Sequence, residues 1–327
     1  MRLLVLGGTV FLGRHVVETA LSRRAEVTLF TRGRTQPDLF PGVRRCQGDR
    51  DGGLGALLAE HWDAVIDTSG FVPRVVAQSA KLDAERYVFV SSISAMADLA
   101  RAPTEDSETL PPVSHENVEL AYGALKAASE RVLQEALGPR AIVVRPGLLG
   151  GPHDPTGRFT YWPLRLAEGG DVVAPAPASA PAAVLDVRDL ATFLLDLATS
   201  GPSGPFHALG LPRPFGALLD EIRRAVGGEA TLRWVDAETL GDVAPWSELP
   251  LWLPGGDHAG MMAALPERAV KAGLRHRPLA ETARDTLAWA RALTGPPPRQ
   301  EDGRYAVKTL TREKERAILE CWLAAKG

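Results

Sequence analysis

The chain has 327 residues, 45% hydrophobic and 24% charged, with a formal net charge of −3. That length allows one large α/β unit or two lobes, while the near-neutral balance gives no electrostatic case for nucleic acid or an anionic membrane. The start reads as a strand rather than a signal peptide and no apolar run approaches a membrane span; Cys46 and Cys321 sit at opposite ends and nothing suggests a disulfide framework or thiolate metal site, so a cytoplasmic protein is expected.

Leu3 to Leu6 form a short apolar run suited to a strand buried on both faces of a parallel sheet. Gly7-Gly8-Thr9-Val10-Phe11-Leu12-Gly13 follows at once, and from Arg14 to Leu21 the apolar residues recur at helical spacing. Strand, glycine turn and helix together make the context of a dinucleotide site, with helix N-terminal amides facing a pyrophosphate. The plainer alternative is an ordinary strand-to-helix turn.

Further apolar runs predict strands at 2–6, 26–31, 43–47, 64–67, 87–91 and 141–145, with helices at 14–22, 53–60, 73–82 and 119–136 between them. Such alternation predicts a Rossmann-type doubly wound parallel sheet, its ligand beyond the carboxyl ends of the strands. Residues 1–150 form the expected dinucleotide-binding domain, to which 182–210 returns with a short helix and a strand at 205–209. Residues 151–181, dense in proline and glycine, and 211–295, α-rich, form the expected substrate lobe. Residues 296–327 read as a stiff proline linker opening at Gly295-Pro-Pro-Pro298, then a helix with Ile318, Cys321, Trp322 and Ala325 on one face. That helix either packs back on the body or meets a partner.

Tyr122 and Lys126, at i and i+4, project from one helix face. An ammonium beside a phenol favours phenolate and draws its pKa from about 10 toward working pH, which suits acid/base chemistry. Behind a nucleotide-binding turn the pair points to hydride chemistry. At the end of the second strand, Thr31-Arg32-Gly33-Arg34 has no acidic residue to hold the ribose hydroxyls. Arg32 and Arg34 offer fork-shaped donors for a 2′-phosphate, so NADP(H) is the expected cofactor, with NAD(H) the alternative; a solvated basic loop is the plainer reading.

Weaker signals are His153, Asp154 and Arg158, in a Pro/Gly-rich segment where substrate contact competes with simple solvation. Asp257, His258 and His207 lack companions at metal spacing, so no metal is expected. Asp186 and Asp189 read as cap and first-turn residues, and Trp234, Trp246 and Trp252 as core of the smaller lobe.

Seven segments in order carry a resemblance to a family: Gly7-Gly8 with Gly13, Gly48-Asp49-Arg50-Asp51, Asp67-Thr68-Ser69-Gly70, Phe89-Val90-Ser91-Ser92, Tyr122 with Lys126, Arg145-Pro146-Gly147 and Val184 to Leu190. Across residues 1 to about 293 the chain resembles an extended short-chain dehydrogenase/reductase, the group that includes sugar-nucleotide epimerases and dihydroflavonol-type reductases. The resemblance implies Tyr122 as acid/base, Lys126 as the ribose-holding partner that lowers its pKa, Ser92 as the hydroxyl that polarises the substrate oxygen, and Asp49 near the adenine. Thr9, Val10, Phe11, Leu12, Thr68, Ser69, Gly70, Ser91, Pro146 and Gly147 would line the rest of the cofactor crevice. Ser91 and Ser94 compete with Ser92, which strand-end geometry favours.

Three departures narrow the expectation. Val10 stands where the family usually has glycine, and a non-glycine there resembles the chloroplast stem-loop-binding branch, some members of which act on RNA. No asparagine follows Arg145-Pro146-Gly147, which makes a nucleotide sugar a poorer substrate, and Met96 replaces a common tyrosine, which makes the pocket more apolar. The expected function is an NADP(H)-dependent reductase or dehydrogenase of a small carbonyl or alcohol. Alternatives are an epimerase/dehydratase with tightly bound cofactor and a non-catalytic nucleotide-sensing or RNA-interacting protein. By the same resemblance a homodimer would form through the helix carrying Tyr122.

Overall fold

The computed structural model describes residues 1–294 and 307–325. Its first half alternates strand and helix: β1 (Arg2–Leu6), α1 (Phe11–Ser22), β2 (Glu26–Thr31), β3 (Arg44–Gln47), β4 (His61–Asp67), α2 (Pro73–Ser79), β5 (Asp83–Val90), α3 (Val118–Leu137) and β6 (Ala141–Pro146). With the strand Gly204–Ala208 these make a seven-stranded sheet among the described residues, in the order Gly204–Ala208, β6, β5, β4, β1, β2, β3. Every pairing in it is parallel. Because β1 lies between β2 and β4, the direction of winding reverses there, and sheets of this kind carry their ligand crevice beyond the carboxyl ends of the strands at that point.

Burial on both faces explains the unbroken apolar strands. On one face Val16, Val17 and Ala20 of α1 pack with Leu190, Phe193 and Leu194 of a helix at Val187–Thr199. On the other, Val76 of α2 and Leu133 and Leu137 of α3 cover Leu4, Val65 and Tyr87. A second core gathers Trp162, Phe215, Leu219, Ile222 and Ala283 around a pair of parallel strands, Gly170–Pro175 and Ala230–Val235. The part expected to be α-rich therefore carries a small sheet as well.

Several expected boundaries shift. The segment expected as a helix at 53–60 is a 3-10 turn, Gly55–Ala59, which buries Leu57 under Trp62 and leads straight into β4. β4 and β5 begin earlier, at His61 and Asp83, because their polar first residues lie at the solvent-facing amino end of the sheet. Asp186 caps the helix Val187–Thr199 by accepting the Arg188 amide, and Asp189 lies in its first turn. The proline segment at 295–298 lies outside the described residues.

The helix Arg312–Ala324 packs back on the second core through Ile318, Leu319 and Trp322. Cys321 and Ala325, expected on that face, are exposed. Glu315 takes their place on it, buried against Arg165 at 2.8 Å and accepting the Val173 amide at 3.2 Å. Among the described residues no helix is long and apolar enough to cross a membrane.

Candidate functional site

The glycine turn folds back on itself. Gly7 and Gly8 hold φ of 107° and 108°, a region that disfavours any side chain. A Cβ on Gly7 would collide with Thr68 Oγ1, and one on Gly13 would stand 2.6 Å from the Gly8 nitrogen. The Thr68 and Ser69 hydroxyls each donate to the Leu6 carbonyl at 3.1 Å, which ties the end of β4 to the turn. Val10 precedes α1 with φ −130° and ψ 138°, extended backbone open to any residue. Its replacement of glycine therefore adds side-chain bulk without backbone strain. α1 has neither a side-chain cap nor an acidic residue in its first turn, so its leading amides and positive end suit an anionic pyrophosphate. Thr9 and Leu12 are buried on either side of that turn, and Phe11 is half-buried.

Beyond β2, Arg32 and Arg34 are exposed, while the Gly33 amide donates to Thr31 Oγ1 at 3.3 Å. Gln47 at the end of β3 holds the Arg32 carbonyl at 3.0 Å. Asp49 is exposed in the next loop, where its carboxylate accepts the Asp51 amide at 2.9 Å.

The acid/base pair is placed by α3. Asn117 caps that helix by accepting the Glu119 and Leu120 amides, and Ala121 leaves helical geometry (φ −137°, ψ 32°) just before Tyr122. Gly123 touches the short 3-10 turn Ile93–Ala95 so closely that a Cβ would overlap the Ser94 carbonyl. This contact, which only glycine permits, sets the turn that carries Tyr122 against the 3-10 turn that follows Ser92. Ser92 Oγ accepts the Ser94 amide at 3.1 Å, so its own proton can be donated to a ligand. The Ser91 hydroxyl instead donates to Glu130, which is held by Arg145 at 2.7 Å inside the protein.

Lys126 is 2% exposed, with Nζ donating to the carbonyls of Gly70 at 2.6 Å and Val90 at 2.7 Å. Nζ lies 4.7, 4.9 and 5.9 Å from the ring centroids of Phe71, Phe89 and Tyr122, a cage that replaces part of the lost hydration. Burial pushes its pKa down to about 8, against the pull of the Asp67 carboxylate. The phenol ring of half-buried Tyr122 stands 6.3 Å from that of Phe71.

On the substrate side, Met96 is buried with Ile93, Leu99, Leu209 and Ala264, so it is part of an apolar floor. Pro146 ends β6, and the Gly147 amide continues its pairing to the Ala208 carbonyl at 3.3 Å. His153 is wedged between the rings of His15 and Trp289, at 5.7 and 5.4 Å, and burial lowers its pKa to about 4. It bridges α1 to the helix Leu279–Ala292. Arg158 lies over Trp246 at 5.5 Å, and Asp154 is fully buried, holding Thr156. Asp257 and His258 are exposed, whereas His207 is wholly buried.

Sequence reasoning missed Gly123, Phe71 and the pairing of Arg50 with Asp67, which lies directly beneath this crevice. It also missed, among the described residues, a group with metal-ligand spacing, His61, Asp63 and Glu85, at the amino ends of β4 and β5 and so away from the crevice.

Residues 59–207 match the family model described as the NAD dependent epimerase/dehydratase family. A 2′-dehydrokanamycin reductase from Streptomyces kanamyceticus is 28% identical over 283 residues, 76% of this chain and 76% of that protein. Among solved structures, the UDP-glucose 4-epimerase of Thermus thermophilus in complex with NAD is similar with a TM-score of 0.65 at 20% identity, covering 90% of this chain and 100% of that one. The Bordetella bronchiseptica enzyme WbmG in complex with NAD and UDP gives a TM-score of 0.67 at 20% identity over 89% and 95%. These two likenesses concern the fold. The matched segment, 59–207, is similar to the NAD dependent epimerase/dehydratase family, and with the reductase relative it points to an NAD(P)-dependent enzyme.

Proposed function

We propose that the protein is an NADP(H)-preferring oxidoreductase that reduces a small carbonyl compound, or oxidises the matching alcohol, with Tyr122 as acid/base. The observation that carries this reading is the seat of Lys126, fixed by the carbonyls of Gly70, in the turn after β4, and Val90, at the end of β5, and one helical turn from Tyr122. A bound nicotinamide would supply or accept the hydride. Hydride arrival at a carbonyl carbon leaves an alkoxide, and the Tyr122 hydroxyl gives it a proton. The Ser92 hydroxyl donates a second hydrogen bond to the same oxygen, where charge develops. Lys126, as ammonium, steadies the phenolate left behind, and its third N–H can serve a ribose hydroxyl. Oxidation runs these steps backwards.

A reductase is favoured over an epimerase by the relative named as a reductase and by the missing asparagine after Gly147. The test is net turnover with a panel of ketones and aldehydes. NADPH consumed one-for-one with alcohol formed is expected, and Tyr122→Phe should lower kcat by about 10²-fold or more with the fold intact by circular dichroism. An isomerised substrate with the cofactor returned would mark an epimerase, and full activity in Tyr122→Phe would remove the acid/base role.

A further inference from the structure

Beneath the crevice lies a charged group that takes no part in those steps. Arg50, in the loop after β3, meets Asp67 at the end of β4 with two parallel bonds, Nη1 to Oδ1 at 2.8 Å and Nη2 to Oδ2 at 2.7 Å. Asp67 is fully buried; Oδ2 also accepts the Tyr87 hydroxyl at 2.9 Å, and Oδ1 the Ser69 amide at 3.0 Å. Arg50 Nη2 reaches Ser79 of α2 at 2.7 Å. A Cβ added to Gly70 would stand 2.8 Å from Asp67 Oδ2, so the carboxylate abuts the very residue whose carbonyl receives Lys126 Nζ.

Stability alone is a poor reason for such a pair, since apolar groups of similar volume often serve as well. The charges that face Lys126 are Asp67 from β4, Arg50 from the loop after β3, and Glu130 from its own helix. Glu130 is occupied by Arg145 and Ser91, while α2 presents the neutral Ser79 and β5 presents Tyr87, whose pKa burial raises.

We propose that Asp67 and Arg50 are positioning residues for Lys126: the carboxylate fixes the turn that receives the ammonium and favours its charge, and the guanidinium holds the carboxylate while opposing that charge. Only the catalytic consequence of this pair rests on the Tyr122–Lys126 reading. The desolvation that brings the Lys126 pKa to about 8 is thus partly offset by Asp67, and the offset is limited by Arg50.

The chain has six lysines, so 13C-lysine labelling gives few side-chain NMR signals, and that of Lys126 is the one lost in Lys126→Met. Its titration midpoint can be read without cofactor or substrate. Asp67→Asn should lower the midpoint by about one pH unit or more, because Arg50 then acts unopposed. Asp67→Asn with Arg50→Met should recover at least half of that fall. Tyr87→Phe, which removes a hydrogen bond to the same carboxylate but no charge, should leave the midpoint in place. An unmoved midpoint in Asp67→Asn, a further fall in the double variant, or an equal fall in Tyr87→Phe overturns the proposal. Should Asp67→Asn not fold, the double variant, free of unpaired buried charge, is read against the unaltered protein: its midpoint should lie lower, and one at or above it overturns the proposal likewise. Lys126→Met that keeps turnover would sink the catalytic reading instead, and would leave these midpoints as they are.

Discussion

Arg32 and Arg34 carry the proposed preference for NADP(H) as single side chains. Both are exposed just beyond β2, where a 2′-phosphate on the adenosine ribose would approach. Loss of one charge-assisted bond costs about 1.5 kcal/mol, or roughly tenfold in affinity. Arg32→Ala should therefore weaken NADPH binding by about that factor and leave NADH unaffected in parallel calorimetric titrations. An equal loss for both would show that the residue does not read the phosphate. Tyr122 and Lys126 were legible as neighbours one turn apart on α3, and Gly13 as the last glycine of the turn that opens α1. Arg50 and Asp67 were not legible as a pair: they sit 17 residues apart on separate segments, and only the folded sheet brings them together. Gly123 was equally silent, since its contribution is the absence of a side chain against Ser94.

Elements were read well where burial is two-sided and poorly where it changes along the element. β1 and β2 emerge with their expected bounds, as every central residue is apolar or buried. The first residues of β4 and β5 are polar and partly exposed, so an apolar-run criterion starts those strands too late. Residues 53–60 hold only the 3-10 turn Gly55–Ala59, in which Leu57 is the single buried residue. The glycine turn offers its own test. Val10 already has extended geometry, so Val10→Gly opens space without relieving strain. It should tighten NADPH several-fold and cost about 0.5–1 kcal/mol of stability through added chain entropy, measured by titration and denaturant melts. Unchanged affinity would mean that the isopropyl group does not meet the cofactor.

For the whole molecule, the sheet was legible and the seating of the second core was not. Proline and glycine density flagged residues 151–181 as irregular, but nothing local announces that Gly170–Pro175 pairs with Ala230–Val235. The closing helix is fixed by the same kind of remote contact: Glu315 reaches Arg165 across 150 residues of sequence, and Leu310 and Ile318 enter the second core. Removing one partner of a buried pair costs about 3–5 kcal/mol, so Glu315→Ala should show that loss in denaturant unfolding. A loss under about 1 kcal/mol would mean that apolar docking alone holds the helix. The Arg165–Glu315 bond also orders events in time. As the polypeptide is synthesised, the guanidinium emerges 150 residues ahead of its carboxylate, so this bond closes only after residue 315 has left the ribosome.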